Sequence, residues 1–266
     1  MPDAWNPAQY ERFAAERSAP FRDLAALLEP VPPSAEVVDL GCGTGELTAE
    51  LHRGLGAART TGVDSSDAML ERAGALDVAG LAFEPGDIAT IEAHQRWDVV
   101  FSNAALQWAA LSGGGQAAVL RRWAAAVRPG GQLAVQVPAN SDHPSHTTID
   151  EVVAEAPFCD LVPPEARRDA SATALAPEAY AQLLFELGAV AQTVRLQVYA
   201  HVLAGPDEVV EWVKGTTLNR IRRVLGREHY DAFERRYRQR LLEQLGDDRP
   251  YLYPFKRILL WARFPG

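Results

Sequence analysis

Cysteine is nearly missing from this 266-residue chain: Cys42 and Cys159 are the only two, far apart in sequence. That excludes a disulfide framework and any cysteine-rich zinc or iron–sulfur site, and it predicts a reducing, cytoplasmic setting. Lysine is almost as scarce, at Lys214 and Lys256 alone among 26 basic residues. Acids outnumber bases, and a net charge of −9 argues against binding nucleic acid through its phosphates. No apolar run approaches the ~20 residues of a membrane span. The stretch Met1-Pro2-Asp3-Ala4-Trp5-Asn6 has neither a basic start nor an apolar core, so no signal peptide is expected. The histidines (52, 94, 143, 146, 201 and 229) show no metal-ligand spacing, and His143 and His146 read as surface residues. Nothing points to an obligate protein partner.

What is present reads as an α/β protein. Hydrophobic residues make up 47% and charged residues 23%, a globular balance. A helix is expected over 20–30, ended by Val31-Pro32-Pro33. Short apolar strands are expected at 37–40, 59–63, 81–83, 97–101 and 133–137, with helical stretches after several of them, one over 117–127. That alternation predicts a Rossmann-like, doubly wound, mostly parallel sheet. Pro129-Gly130-Gly131 reads as a break before the fifth strand. Beyond it, 138–176 has no clear period. Helices are expected at 177–187, 206–213 and, once or twice, over 217–245, and strands at 191–203 and 257–264, the last antiparallel. This makes one domain over 1–266, with 138–176 and 204–255 as inserted segments that cap the site and choose the acceptor.

The run Asp39-Leu40-Gly41-Cys42-Gly43-Thr44-Gly45 carries the chemistry. Glycines after a buried strand let the backbone turn tightly and approach a ligand. A dinucleotide loop wants a third glycine at residue 46, but Glu46 stands there, and its carboxylate would oppose a pyrophosphate. A Walker lysine is missing too. A ligand without phosphates fits better, and S-adenosylmethionine (SAM) is one, its ammonium held near Asp39 and the Gly41 carbonyl. Asp64, ending the second strand, can accept both ribose hydroxyls, which by itself does not separate NAD from SAM. Asp87, ending the third, can accept from an adenine amino group while Ile88 packs on the ring. Three acids at three successive strand ends face one crevice.

With these residues in place, the chain resembles class I SAM-dependent methyltransferases. The matching pieces are DLGCGTG (39–45), Val63-Asp64-Ser65-Ser66 with Met69, Gly86-Asp87-Ile88, DVVFSNAALQW (98–108) and RPGGQLAVQVP (128–138). Within that class it is similar to the bacterial trans-aconitate 2-methyltransferase family over nearly its whole length. The N-terminal Trp5, Asn6, Pro7, Tyr10, Phe13, Glu16, Arg17 and Pro20, then Pro144-Ser145-His146, Tyr199 with His201, Glu211-Trp212-Val213 and Phe255-Lys256-Arg257-Ile258 carry this likeness. Departures are Thr44 where that family often has proline, Leu218-Asn219-Arg220 for a Leu-Arg-Pro-like stretch, and the Gly113-Gly114-Gly115 turn.

The resemblance implies SAM as cofactor and a small carboxylate as acceptor. It places Tyr10, Arg17, Asp39, Gly41, Cys42, Gly43, Gly45, Asp64, Ser65, Met69, Asp87, Ile88 and Asn103 in the cofactor-binding set, with Tyr10 and Arg17 closing a flap. An ionised carboxylate acceptor needs no general base, in keeping with the lack of any Ser/His/Asp arrangement. Gln107 and Trp108 follow the fourth strand, where acceptor would meet methyl group; Trp108 would wall the pocket or pack in the core. Residues 217–240 hold eight arginines against three acids, most of them expected on a solvated helix face. Arg220, with Lys214, Thr216 and Asn219 near it, is the best exception, since Arg suits carboxylates. His201, Tyr253 and Lys256 complete the acceptor-side candidates. Rival readings are methylation of another small molecule, such as a natural-product hydroxyl or carboxyl group, an NAD dehydrogenase, and a non-catalytic SAM-binding protein.

Overall fold

Seven strands form one sheet in the order β3-β2-β1-β4-β5-β7-β6. They are β1 (Glu36–Leu40), β2 (Arg59–Asp64), β3 (Leu81–Pro85), β4 (Trp97–Asn103), β5 (Val127–Pro138), β6 (Ala191–Leu203) and β7 (Tyr251–Arg263). The computed structural model describes residues 14–167 and 169–266, for 14–17 as backbone alone. β1 to β5 pair in parallel and β7 joins β5 antiparallel. Val37, Val38 and Leu40, like Val99, Val100 and Phe101, are buried, as short apolar runs in a sheet covered on both faces must be. Strand order reverses between β1 and β4, the switch point where open α/β sheets bind ligands.

The helices are α1 (Ala14–Ala25), α2 (Glu46–Leu55), α3 (Asp67–Ala73), α4 (Leu106–Ser112), α5 (Gln116–Ala125), α6 (Pro144–Val153), α7 (Phe158–Leu161), α8 (Pro177–Glu186), α9 (Asp207–Lys214), α10 (Asn219–Arg222) and α11 (Arg227–Leu245). None is long and apolar enough to cross a membrane.

Several expectations are corrected. The first helix lies earlier, at 14–25, and turns end it before Val31. Pro129-Gly130-Gly131 does not precede the fifth strand but lies inside it: β5 begins at Val127 and absorbs the three residues where its register against β4 shifts. Gly131 is needed there, because a Cβ would meet the Asp98 carbonyl oxygen at 2.8 Å. The region 138–176 is not irregular throughout. His143 caps α6 by accepting from the Ser145 N–H, with Pro144 in the first helical turn. The last strand starts earlier, at Tyr251, although Pro254 interrupts its apolar pattern.

The chain divides into two compact units. The larger holds Ser18–Pro138, Thr173–Gln197 and Arg257–Gly266; the smaller includes Ala139–Ala172 and Val198–Lys256. The larger has a core of Phe21, Leu24, Val37, Val99, Phe101 and Leu259, among others, with Phe21 and Phe101 meeting edge to face at 5.2 Å. The smaller has its own, built on Ile149, Trp212, Phe233, Tyr237 and Phe255. Here α11 packs on α6. Its basic face is matched by acids of that helix and the turn after it: Arg236 binds Glu155 at 2.6 Å and Arg240 lies 3.7 Å from Glu151.

Candidate active site

The loop after β1 is built by steric demand. Gly41 has φ 85, and a Cβ on it would lie 2.2 Å from Ala105 Cβ, so a side chain is excluded twice. Gly45, at φ 82, would meet the Phe83 ring at 2.5 Å. Gly43 differs: its φ is 56, but nothing lies within 4 Å of its Cβ position. Two glycines are therefore fixed by packing and the third borders open space, where a ligand can approach the backbone.

Acids ring this loop. Asp39 is buried and accepts a 2.6 Å hydrogen bond from Thr48 Oγ1 on α2. Burial pushes its carboxyl up to about 7, against the Thr48 bond, with the Asp64 charge adding to the rise. Burial likewise pushes the Cys42 thiol up, so it is no nucleophile here. Asp64 accepts from the N–H groups of Gly43 and Ser66, each at 2.9 Å. It thus holds the glycine loop against the start of α3, and each oxygen keeps a lone pair for a further donor. Ser66 is the helix cap, accepting from the Met69 N–H at 3.4 Å, while Ser65 lies one residue outside it. Asp87 accepts from the Ala89 N–H at 2.9 Å, and Ile88 Cδ1 lies 3.5 Å from the Gly41 Cβ position.

At the end of β4 and the start of α4, two buried polar atoms have no hydrogen-bond partner among the described residues, Asn103 Oδ1 and Gln107 Oε1. Unmet buried acceptors are costly, so each calls for a donor from water or a ligand. Between them Ala104 has φ 56, a strained conformation for a residue with a side chain, as is frequent at functional sites. Trp108 is 42% exposed, which removes it from the core. Thr48, Ala104 and Ala105 escaped the sequence reading. A polar residue on the buried apolar stripe of α2 was the available signal for Thr48; nothing in the sequence marks the two alanines.

The smaller unit carries the other acceptor-side candidates, and most are engaged within it. Lys214 binds Glu234 at 2.5 Å and Glu211 at 3.2 Å. Arg220 donates to Asp150 at 2.9 Å and to the carbonyls of Ala166 and Arg167, clamping a turn. Thr216 sits in the turn after α9, its N–H donating to the Val213 carbonyl at 3.1 Å. Asn219 is buried, and its amide nitrogen has no partner among the described residues. His201 packs against Trp212 at 4.8 Å between ring centroids, and Tyr253 lies fully buried in the same aromatic group. Lys256 binds Asp142 at 2.6 Å. Tyr10, and the side chain of Arg17, lie outside the described residues.

Comparison with known proteins decides the family. The chain is 43% identical to a trans-aconitate 2-methyltransferase of Deinococcus radiodurans, over 98% of each chain. It is 37% identical to one of Streptomyces avermitilis, over 97% of this chain and 96% of that one. The chain belongs to the trans-aconitate 2-methyltransferase family. A sequence profile described as a methyltransferase domain matches residues 37–131, from β1 into β5. Among solved structures, YcgJ of Bacillus subtilis aligns with a TM-score of 0.58 at 14% identity, over 94% of this chain and 99% of that one. Phosphoethanolamine N-methyltransferase 2 of Haemonchus contortus, solved with SAM, aligns with a TM-score of 0.52 at 16% identity, over 92% of this chain and 52% of that one. These likenesses give the class I methyltransferase fold. The protein is a methyltransferase.

Proposed function

We propose that this methyltransferase moves the methyl group of SAM to one carboxylate of trans-aconitate or a similar polycarboxylate, giving the monomethyl ester. The family relationship over the whole chain carries the reading of the acceptor. The glycine loop with its three strand-end acids supports the cofactor, since carboxylates suit hydroxyl, amino and ammonium groups and repel phosphates. A bound sulfonium supplies an electrophilic methyl carbon and leaves as a neutral thioether.

The chain's own part is to bind and orient. Gly43 leaves the loop backbone open to approach. Asp64 and Asp87 hold donors of the nucleoside, and Asp39 balances the ammonium. Asn103 Oδ1 and Gln107 Oε1 accept from ligand groups that the described residues leave without a partner. With SAM held there, an ionised carboxylate oxygen would displace the sulfur in line at the methyl carbon. No proton moves in that step, so no general base is assigned. Catalysis then rests on holding the two reactants in line with water excluded. Asn219 and Lys256 are the acceptor-side groups we favour, the first for its unpartnered amide and the second for its charge. We place the reaction in the cytoplasm, in keeping with the free thiols of Cys42 and Cys159.

The test is incubation with SAM and trans-aconitate, followed by mass spectrometry. A methyl ester with equimolar S-adenosylhomocysteine supports the reading. Turnover with a hydroxyl acceptor alone, lost on histidine substitution, overturns it.

A further inference from the structure

A polar chain of residues that we do not assign to the methyl donor runs through the smaller unit. Asn140, Ser145 and Tyr253 are each fully buried. Asn140 accepts from the Lys256 N–H at 3.1 Å and donates to the Tyr253 hydroxyl at 3.5 Å. That hydroxyl shares a hydrogen bond with Ser145 Oγ at 3.1 Å, and Ser145 Oγ lies 3.0 Å from His143 Nδ1. His143 Nδ1 also accepts from the Ser145 N–H at 3.1 Å. The Tyr253 ring meets the imidazole edge to face, 4.9 Å between centroids.

This geometry fixes a tautomer. A backbone N–H can only donate, so Nδ1 is the acceptor and the neutral ring carries its proton on Nε2. Burial, followed by the neighbouring His146 and Lys256, lowers the imidazole to about 4, with Asp142 opposing, so the ring is neutral at pH 7. Nε2–H is thereby offered as a fixed donor, and it makes no hydrogen bond among the described residues. The charges of Lys256 and Asp142 both act on this imidazole, and Lys256 Nζ holds the Asp142 carboxylate. The two partners differ: the Lys256 side chain is 29% exposed and that of Asp142 is 68% exposed. A solvated acid rests on a half-buried cation whose backbone is pinned by Asn140.

We propose that His143 Nε2–H and Lys256 form a carboxylate subsite for the acceptor, and that Asp142 occupies it until the acceptor displaces it. This rests on the polycarboxylate reading above. The cation supplies charge and the neutral ring supplies direction, so an anionic oxygen is preferred over a hydroxyl. Exchange of one carboxylate for another is cheap, because exposed ion pairs contribute little.

Three variants separate this role from helix capping. His143→Asn keeps a good cap for the Ser145 N–H but loses the Nε2 donor. We expect it to raise KM for trans-aconitate about tenfold, the scale of one lost hydrogen bond to a charged group. kcat, S-adenosylhomocysteine affinity and the unfolding midpoint should stay near wild type. Lys256→Met should raise KM further. Asp142→Asn, a change at an exposed residue, should lower KM by removing the competitor. An unchanged KM in His143→Asn, or a raised one in Asp142→Asn, overturns the subsite while leaving the methyltransferase reading intact. A wild type that turns over no polycarboxylate overturns both.

Discussion

Gly41 and Asp39 show how single residues shape the loop after β1. Gly41 combines a left-handed backbone with a neighbour at 2.2 Å from any Cβ, so Gly41→Ala must displace Ala105 and with it the end of β4. We predict that this variant loses most S-adenosylhomocysteine affinity in calorimetry and unfolds at lower urea, by about 1–3 kcal/mol. Asp39 is a titration argument. Its folded value near 7 lies above that of the unfolded chain, so ionisation opposes folding. The stability is fully present below pH about 4 and is lost as pH rises through 7. Asp39→Asn removes that loss, and urea unfolding of the ligand-free variant should change less between pH 5 and pH 8 than that of the wild type. In the wild type, SAM brings an ammonium that favours the ionised form. Binding at pH 6 should therefore release protons, seen as a calorimetric enthalpy that depends on the buffer.

Elements were legible where one local signal sufficed. β1, the glycine loop and α2 follow from an apolar run, three glycines and an apolar stripe, and they form at 36–55 much as read. The strand at 191–203 matches its expected limits because its near-alternation is long. β5 was misread because Pro129-Gly130-Gly131 has the composition of a breaker. Only the partner strand, through its register shift, turns those residues into part of the ladder. α6 was missed because its start is built by a histidine cap, a rare choice, and by burial against α11 that periodicity cannot show. That packing makes its own prediction. The Tyr237 hydroxyl on α11 donates to the buried Ser145 carbonyl at 2.8 Å. Tyr237→Phe should cost about 1–2 kcal/mol of stability, measured by urea unfolding, because the buried carbonyl loses its side-chain donor. Affinity for S-adenosylhomocysteine should be unaffected.

For the whole molecule, composition set limits and the two units explain how they are met. The basic run 217–240 inside an acidic chain is largely neutralised by Asp150, Glu151, Glu155 and Glu211. Arg220 and Lys214 are held by acids, and their engagement depends on folding that sequence spacing does not show. The glycine loop and the strand-end acids were more legible in sequence, because they follow one another along a single sheet. The central claim is transfer of a methyl group to a polycarboxylate, and the most direct measurement is S-adenosylhomocysteine release in the presence of trans-aconitate, with the product identified by mass. The account predicts release that depends on trans-aconitate and yields its monomethyl ester. Release that is indifferent to every carboxylate offered, in a protein that still binds S-adenosylhomocysteine, would contradict it.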